Sequence, residues 1–396
     1  MAVTLEGLLS PGVYVSQLVN PRAVNLVTPS VAYMLGTSSN VAAGDVNTPV
    51  TVASLAEFQV KFPNSPSLAY VDSYFQQVRI PFVFVNVAKV AAKATVGEFT
   101  TALNSLTERE ETGVILAPEF FADPTRTDII LFANLMSTLA AELQWLTIID
   151  TPFAARNTVG TDDVTPGSVR AFSASIGASG RPATFVVFPW IVTATGSEIA
   201  SSAATAGLFV YVWNRFGYAT PPAGTSYPLV GVSSTTVLIN KSIQDILNPK
   251  NINCIRFFRS APGFVMYGSR MLDGNFLNSR VALNVISATM SDAIQQLVFS
   301  NIDSQGLLFI RAKELAESVL YRVYLSRGLA GSSPQQAYFV ICDSTNNSSE
   351  QLQSGRLVID IYPTPASTVE VVLVVPHRVT IGGLQAELNN LNLVGN

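Results

Sequence analysis

Short apolar segments that alternate with helical segments constrain the fold of this chain most strongly. Runs rich in β-branched or aromatic residues lie at residues 30–36, 81–87, 113–117, 146–150 and 183–189. Helical patterns separate them, at residues 55–62, 69–78, 96–108, 126–144 and 197–216. Continuously apolar strands separated by helices are typical of a mainly parallel sheet that is buried on both faces. The pattern therefore predicts an α/β layered domain, which we place at residues 25–245.

The order of elements changes in the last third of the chain. Strand patterns come first at residues 252–258 and 264–268, helical patterns follow at 280–299 and 306–326, and further strand patterns lie at 338–342, 356–362 and 369–375. Strands grouped around a pair of helices are typical of an α+β domain with an antiparallel sheet. We therefore expect a second domain at residues 246–375. The Pro- and Gly-rich stretch at residues 218–231 is expected to be an exposed loop or linker before it.

The composition limits the classes of partner. Charged residues make up 13% of the chain, about half of the roughly 25% that is usual in soluble domains. A surface this poor in charge favours a subunit whose surface is largely covered by other subunits. A neutral surface rich in Ser, Thr and Asn is the alternative. The net charge of −4 argues against non-specific binding of nucleic acid, which depends on Lys and Arg.

Neither a membrane span nor a secretion signal is expected. The apolar runs at residues 129–139 and 184–192 are shorter than the ~20 residues that a spanning helix needs. The N-terminal sequence MAVTLEGLLS has no basic region, so a cleaved signal peptide is not predicted. Cys254 and Cys342 are interpreted as two reduced, buried side chains.

Catalytic constellations are scarce in the sequence. The single histidine, His377, excludes a site that needs two imidazoles, and no Cys-x-x-Cys pair is present. Asp150 ends an apolar strand, where a Mg²⁺-binding aspartate could lie, yet no Gly-rich phosphate-binding motif accompanies it. We therefore interpret Asp150 as a strand-end or capping residue and predict no catalytic residue, cofactor or metal. An α/β enzyme with an unrecognised site is the alternative.

The stretch LLSPGVYVSQ at residues 8–17 looks like a strand without a partner. Val13 and Val15 flank Tyr14, Pro11 and Gly12 precede them, and no second strand follows at hairpin distance. An extended arm of this kind can satisfy its backbone groups at a sheet edge of another subunit. The alternative is a strand that completes the chain's own C-terminal sheet. We predict an N-terminal arm over residues 1–24.

Strings spread over most of the chain carry a resemblance to one family. The first half contains PGVYV (11–15), TPSVAYMLGTS (28–38), V-x-S-L-x-E-F-x-x-x-F (52–62), IIDTP (148–152), RPATFVVFPWI (181–191) and PPAG (221–224). The second half contains LNPKNINCIRFF (247–258), VMYGSRML (265–272), RGLAGSS (327–333), FVICDSTNN (339–347) and SGRLVIDIYPTPASTVEVVLVV (354–375). In this order the strings resemble the contractile tail sheath family of phages and phage-like injection machines. The family's usual Gly-x-Trp string after the Pro-Pro element is absent, and its Gly-Ala-Arg-Thr is Gly-Ser-Arg-Met here.

The resemblance implies a structural subunit that polymerises helically around a tail tube and contracts to drive the tube through a target envelope. It implies inter-subunit strand donation by the two terminal arms, with candidate residues Pro11, Gly12, Val13, Tyr14, Val15, Val369, Val371 and Leu373. A C-terminal arm would follow at residues 376–396. It places the C-terminal domain against the tube, with candidate contacts at Arg311, Lys313, Arg322 and Arg327. The alternative for these residues is an ordinary solvated helix face.

The partners expected from the resemblance are further copies of the chain, the tail tube protein, and the baseplate and tail terminator proteins. Nucleic acid and direct membrane insertion are not expected. The expected location is the tail of a virion that is assembled in the cytoplasm of an infected bacterial host. Another self-assembling virion or surface-layer protein fits the low charge as well and is kept as the alternative.

Overall fold

The helices and strands follow the predicted order. A computed structural model describes residues 25–39, 45–87, 93–109, 111–160, 167–261, 263–302 and 306–373. Its strands are β1 (Val31–Gly36), β2 (Pro49–Val52), β3 (Phe82–Asn86), β4 (Gly113–Leu116), β5 (Leu146–Asp150), β6 (Thr184–Phe188), β7 (Ile191–Thr193), β8 (Glu198–Ile199), β9 (Val232–Thr235), β10 (Ile252–Phe258), β11 (Gly263–Met266), β12 (Tyr338–Ile341) and β13 (Asp360–Pro363). Its helices are α1 (Leu55–Lys61), α2 (Leu68–Gln77), α3 (Val96–Asn104), α4 (Pro118–Ala122), α5 (Ile129–Glu142), α6 (Val169–Ala174), α7 (Ser202–Phe216), α8 (Lys241–Leu247), α9 (Leu277–Ile294), α10 (Leu307–Leu325), α11 (Pro334–Ala337) and α12 (Ser349–Gln353).

An eight-stranded sheet forms the centre of the molecule, in the order β11-β10-β6-β5-β4-β1-β3-β2. The six inner strands run parallel, and β2 and β11 pair antiparallel at the two edges. Helices connect most of the parallel strands, because neighbouring parallel strands need a long crossover between them. The predicted α/β class with a mainly parallel sheet is confirmed.

Strand alternation divides the core into two layers. In β1, Met34 contributes to the cluster that includes α2, α7, α9 and α10, whereas Tyr33 and Leu35 contribute to the cluster with α3, α4 and α5. Successive side chains of a strand point to opposite faces, so both faces of β1 are covered. Continuous burial along β1 explains why its sequence is apolar at every position rather than at alternate ones.

The sheet crosses the boundary that the sequence suggested between residues 245 and 246. Strand β10 pairs in parallel with β6, with Ile252 opposite Val186, and β11 then pairs with β10. Both strands were assigned to the C-terminal domain because they precede its helices. The division into domains at residues 25–245 and 246–375 stays a prediction, since the strand pattern identifies a strand but not its neighbour.

Two predicted helix starts lie several residues too early. The predicted helix at 126–144 is α5, which begins at Ile129, because Asp123 accepts from the Thr125 amide at 3.0 Å and closes a turn instead of capping the helix. The predicted helix at 197–216 is α7, which begins at Ser202 after the short strand β8. By contrast, α3 begins where predicted, with a capping box between Thr95 and Glu98.

The C-terminal part contains the predicted helix pair and a small antiparallel sheet. Helices α9 and α10 pack together, and β12 pairs antiparallel with β13. The strand predicted at residues 369–375 is wrong over its described part, because residues 369–373 form no strand. An apolar run makes a strand only where a partner edge is present, and the described residues of this chain supply none there.

Candidate interaction surfaces

The small sheet of β12 and β13 has two outer edges. Thr364 donates its amide to the Ala337 carbonyl at 2.8 Å, which sets the alternation of hydrogen-bonded pairs along the two strands. The backbone groups of Val340 and Ile361 therefore point away from the pair. No described residue forms a backbone hydrogen bond with these two residues outside the pair. The edges can thus accept a further strand.

One face of this small sheet carries an exposed aromatic pair. Phe339 and Tyr362 lie directly opposite each other, with ring centroids 6.5 Å apart, and are 60% and 56% exposed. Val340 points to the other face and is buried. A two-stranded sheet with a bare aromatic face has less burial than a stable sheet normally needs, which is typical of a surface that another chain completes.

An apolar groove follows the side of α9 next to β13. Met290 and Ile294 of α9, Val298 after it, and Ile361 of β13 line a cavity of ≈ 410 Å³. Because Ile361 belongs both to the groove and to the outer edge of β13, a strand added at that edge would run beside α9. Its inward side chains would then contact this groove.

The C-terminal candidates lie on an exposed apolar segment. Val369, Val371 and Leu373 are 78%, 84% and 84% exposed. Alternate residues of an extended chain share one face, so these three side chains can enter one partner surface together. The N-terminal candidates Pro11 to Val15, and residues 374–396, lie outside the described residues.

The four basic candidates do not form one cluster. Arg311 and Arg322 are both exposed on α10, eleven residues apart, and lie within about 20° of each other around the helix axis. Lys313 is half-buried about 200° away from Arg311 and lies near Cys342 and Asp343, close enough for its charge to act on both. Arg327 is exposed two residues beyond the helix end, in left-handed backbone with φ of 65°.

The exposed face of α10 is more apolar than the basic residues alone suggested. Its exposed large apolar side chains are Leu307, Ile310, Tyr321 and Leu325. The buried face is formed by Leu308, Ala312, Ala316, Val319, Leu320 and Val323. The sequence carried this signal, because the apolar residues of α10 are too many for one stripe of a 3.6-residue period.

The crevice at the carboxyl ends of β1 and β4 is where α/β enzymes usually bind ligands. It is a cavity of ≈ 310 Å³, lined in part by Lys93, Glu119 and Asp123. Glu119 accepts from the Thr37 amide at 2.8 Å and from the Ser67 hydroxyl at 2.7 Å, and Lys93 pairs with Asp123 at 2.6 Å. The Glu119, Lys93 and Asp123 side chains in this cavity are therefore already bonded to other groups of the protein.

Asp150 is a buried capping residue, as expected from its place at the end of β5. Its side chain is fully buried, and Oδ1 accepts from the Ser202 amide in the first turn of α7 at 2.7 Å. Burial raises the pKa of this carboxyl to about 7, although the hydrogen bonds from Ser202 oppose the rise. In the described ranges no group of His, Cys, Asp and Glu could hold a metal ion, and no helix there is both long and apolar enough to cross a membrane.

The architecture is that of contractile sheath subunits. The chain is similar to the anti-feeding prophage helical sheath in its contracted state, with a TM-score of 0.74, 20% identity, and coverage of 93% of this chain and 99% of that one. A sheath complex of an extracellular contractile injection system, also contracted, gives a TM-score of 0.70 at 18% identity and covers 94% and 98% of the two chains.

A sheath tail protein from Listeria innocua gives a TM-score of 0.57 at 9% identity, with 87% and 96% of the chains covered. No protein-family profile and no curated protein sequence matches the chain. Because the identities are low, the comparisons establish the shared fold, and that fold is the one the resemblance implied.

Proposed function

We propose that the chain is the structural subunit of a contractile sheath. In this proposal, copies polymerise helically around a tail tube and contract to drive the tube through a target envelope. The observation that carries the proposal is the similarity over nearly the whole chain to subunits solved in contracted helical sheaths. The fold supplies a rigid body, and the surfaces described above supply the contacts between copies.

Strand donation between copies is the contact that the C-terminal part supports. The outer edges at Val340 and Ile361 are available to a strand, and the apolar segment around Val371 lacks a strand partner among the described residues. A donated strand satisfies backbone groups on both chains, and its alternate side chains fill pockets. The groove lined by Met290 and Ile294 offers such a pocket. Residues 11–15, with Val13 and Val15 on one face, are the second proposed donor.

Contact with the tube is assigned to the exposed face of α10. Arg311 and Arg322 lie together along one side of the exposed apolar residues Ile310, Tyr321 and Leu325, so the face suits a partner with acidic groups beside an apolar patch. Exposed ion pairs are weak and are screened by salt, which suits a contact that must break during contraction. Lys313 lies on another side of the helix, so in this proposal it does not contact the tube and adds only its positive charge to that of α10.

The tube contact is tested by reversing the charges of Arg311 and Arg322 to Glu and measuring assembly of the chain on tubes. We expect assembly on tubes to be lost while assembly of the chain alone is kept. The matched control reverses Arg79 and Arg259, which are exposed outside α10. Normal assembly of the Arg311 and Arg322 variant on tubes at low salt would refute the assignment.

Contraction in this proposal needs no nucleotide or cofactor and no catalytic residue. The subunits pass from an extended lattice to a contracted lattice of lower free energy, and assembly stores that difference. The further proposed partners are the tube, the baseplate and the tail terminator. The proposed location is the tail of a phage or phage-like particle that is assembled in the bacterial cytoplasm.

Electron microscopy of the purified chain tests the function. We expect hollow helical cylinders, whereas a surface-layer protein would give flat sheets and a capsid protein would give closed shells. Deleting residues 1–17 should abolish the cylinders while circular dichroism shows an unchanged body. A sharper variant carries Val13→Pro with Tyr14→Pro. In an extended strand one of two adjacent amides must face the partner edge, so two neighbouring prolines remove that hydrogen-bond donor in either register. Its control carries Val13→Thr with Tyr14→Phe. Cylinders that persist after the proline substitutions would rule out pairing through this segment.

A further inference from the structure

One arginine holds the last described segment of the chain, residues 366–373, by several contacts. Glu370 lies immediately before the apolar residues 371–373, and its carboxylate receives three hydrogen bonds from Arg270. The Nε atom donates to Oε1 at 3.1 Å and to Oε2 at 2.9 Å, and Nη2 donates to Oε2 at 2.8 Å. The two side chains are 29% and 20% exposed, so solvent and salt screen the pair only in part.

Arg270 is already oriented before it meets the carboxylate. Its Nη1 atom donates to the Gly274 carbonyl at 2.8 Å, and its guanidinium lies over the Phe276 ring at 4.6 Å from the centroid. The backbone of Arg270 also forms a bridge with Phe276. A guanidinium fixed in this way loses little further entropy when it binds Glu370. A lysine could not make the same set of contacts.

The segment just before Glu370 is fastened to the start of α9. The buried Asn278 donates to the Ala366 carbonyl at 2.9 Å, and Ser279 donates to the same oxygen at 2.7 Å. Thr368 donates its hydroxyl to Asn278 Oδ1 at 2.7 Å. Beyond Glu370 the described residues have no such bonds. Among the described residues, the side-chain contacts that hold this segment therefore end at Glu370.

We propose that the Arg270–Glu370 pair is the anchor point of the C-terminal segment. It sets the place and direction in which the apolar residues 371–373 leave the body, so that they are presented to a second copy of the chain instead of folding onto this one. A further consequence rests on the proposed function. When a neighbouring copy pulls on a donated C-terminal arm, the force would reach the folded part of the chain at this ion pair. The strength of the link would then depend on Arg270 as well as on the strand pairing.

The anchor is tested with a nitroxide label at Val372→Cys, two residues beyond Glu370. Val372 is 76% exposed, whereas the native Cys254 and Cys342 are free but only 1% and 2% exposed, so the label goes to the new site. The label is read by electron paramagnetic resonance on monomer separated by size exclusion. We expect a slow component in the parent spectrum and its loss in Glu370→Gln, which removes the charge at constant size. Glu350→Gln, an exposed carboxyl elsewhere, is the control.

A double-variant comparison makes the test specific. Arg270→Gln should lose the same slow component, and adding Glu370→Gln to it should cause no further change, because both substitutions break one contact. An unchanged spectrum in Glu370→Gln would overturn the anchor. The outcome is independent of assembly: failure of the parent chain to form cylinders would refute the sheath function while leaving the label result unaffected.

Discussion

Replacement of Asp150 by asparagine tests whether the buried carboxyl at the end of β5 controls the pH dependence of stability. In the folded chain burial raises its pKa to about 7, compared with about 3.9 for an aspartate in an unfolded chain. Between these two values the folded state holds a proton that the unfolded state has released. The free energy of unfolding must therefore fall as pH rises from about 4 to about 7, and it must level off above the folded-state pKa.

The magnitude follows from the shift. About 1.4 kcal/mol per pKa unit over about three units gives an upper limit of about 4 kcal/mol, of which about 2–3 kcal/mol falls between pH 5 and pH 7.5. The asparagine side chain of the variant has nearly the same shape, and its Oδ1 can still accept from the Ser202 amide, but it cannot ionise. The wild-type chain should therefore lose stability across this range, and the difference between the two chains should change by about that amount.

The measurement is urea unfolding followed by circular dichroism at several pH values from 5 to 8, for the wild-type chain and Asp150→Asn. Asp292→Asn, an exposed carboxyl on α9, is the control. The decisive quantity is the difference between the wild-type and variant midpoints at each pH. A difference that does not change with pH, or a wild-type chain that gains stability as pH rises from 5 to 7.5, would refute the reasoning.

Two further predictions concern the groove and the sheet. Ile294→Asp places a charge in the proposed strand-binding groove, where an unpaired buried charge costs several kcal/mol; cylinders should be lost in electron micrographs while the body stays folded, whereas Gln296→Asp, outside the groove, should assemble normally. Assembly of the Ile294 variant would contradict strand binding there. Gly113→Ala adds a methyl group against the Tyr33 ring and 2.7 Å from the Val31 carbonyl, so it should destabilise the fold by about 1–3 kcal/mol. Gly167→Ala meets no atom of the described residues within 4 Å and should leave the urea midpoint unchanged; equal midpoints for both variants would show that β1 and β4 can separate locally.

The sequence predicted the type and position of those helices and strands whose apolar residues recur at a regular short spacing. Strand β5 lies at residues 146–150, as its apolar run indicated, and α10 lies within one residue of its predicted ends. Strand β5 is buried along its whole length, and α10 is a long helix that is buried periodically, so both leave a clear apolar pattern in the sequence. The expectation that Asp150 is a strand-end or capping residue also held, because a buried strand that ends in a carboxylate places it near the helix starts at the same sheet edge.

What the sequence could not provide were the partners of these elements. Nothing local showed that β10 pairs with β6, since the two strands are separated by more than sixty residues. The same limit applies to Glu370, whose partner Arg270 lies 100 residues away. The apolar run at residues 369–373 was predicted to be a strand because it has the composition of one, yet a strand also needs an edge beside it.

The edges of the eight-stranded sheet and the edges of the β12–β13 sheet differ in how they are protected, and this contrast favours an assembly surface at the smaller sheet. In the large sheet, a loop covers the outer edge of β11, where Gly224 donates to the Met266 carbonyl and Leu229 to the Phe264 carbonyl, both at 2.8 Å. At the other edge, β2 begins at a proline and Lys61 donates to the carbonyl of Thr51 at 3.3 Å.

Proline, lysine and covering loops are the devices by which proteins keep sheet edges from pairing with other chains. Among the described residues, no loop covers the small sheet beside Val340 and Ile361. Pro363 has no amide to donate, so it limits a strand on β13 to pairing around Ile361. The edges of the large sheet are thus protected from pairing with another chain. The small sheet keeps a short open edge at Ile361, beside the apolar groove of α9, and Pro363 restricts the register of any strand added there. A second copy of the chain, which carries extended apolar segments, is the partner that we propose for this edge.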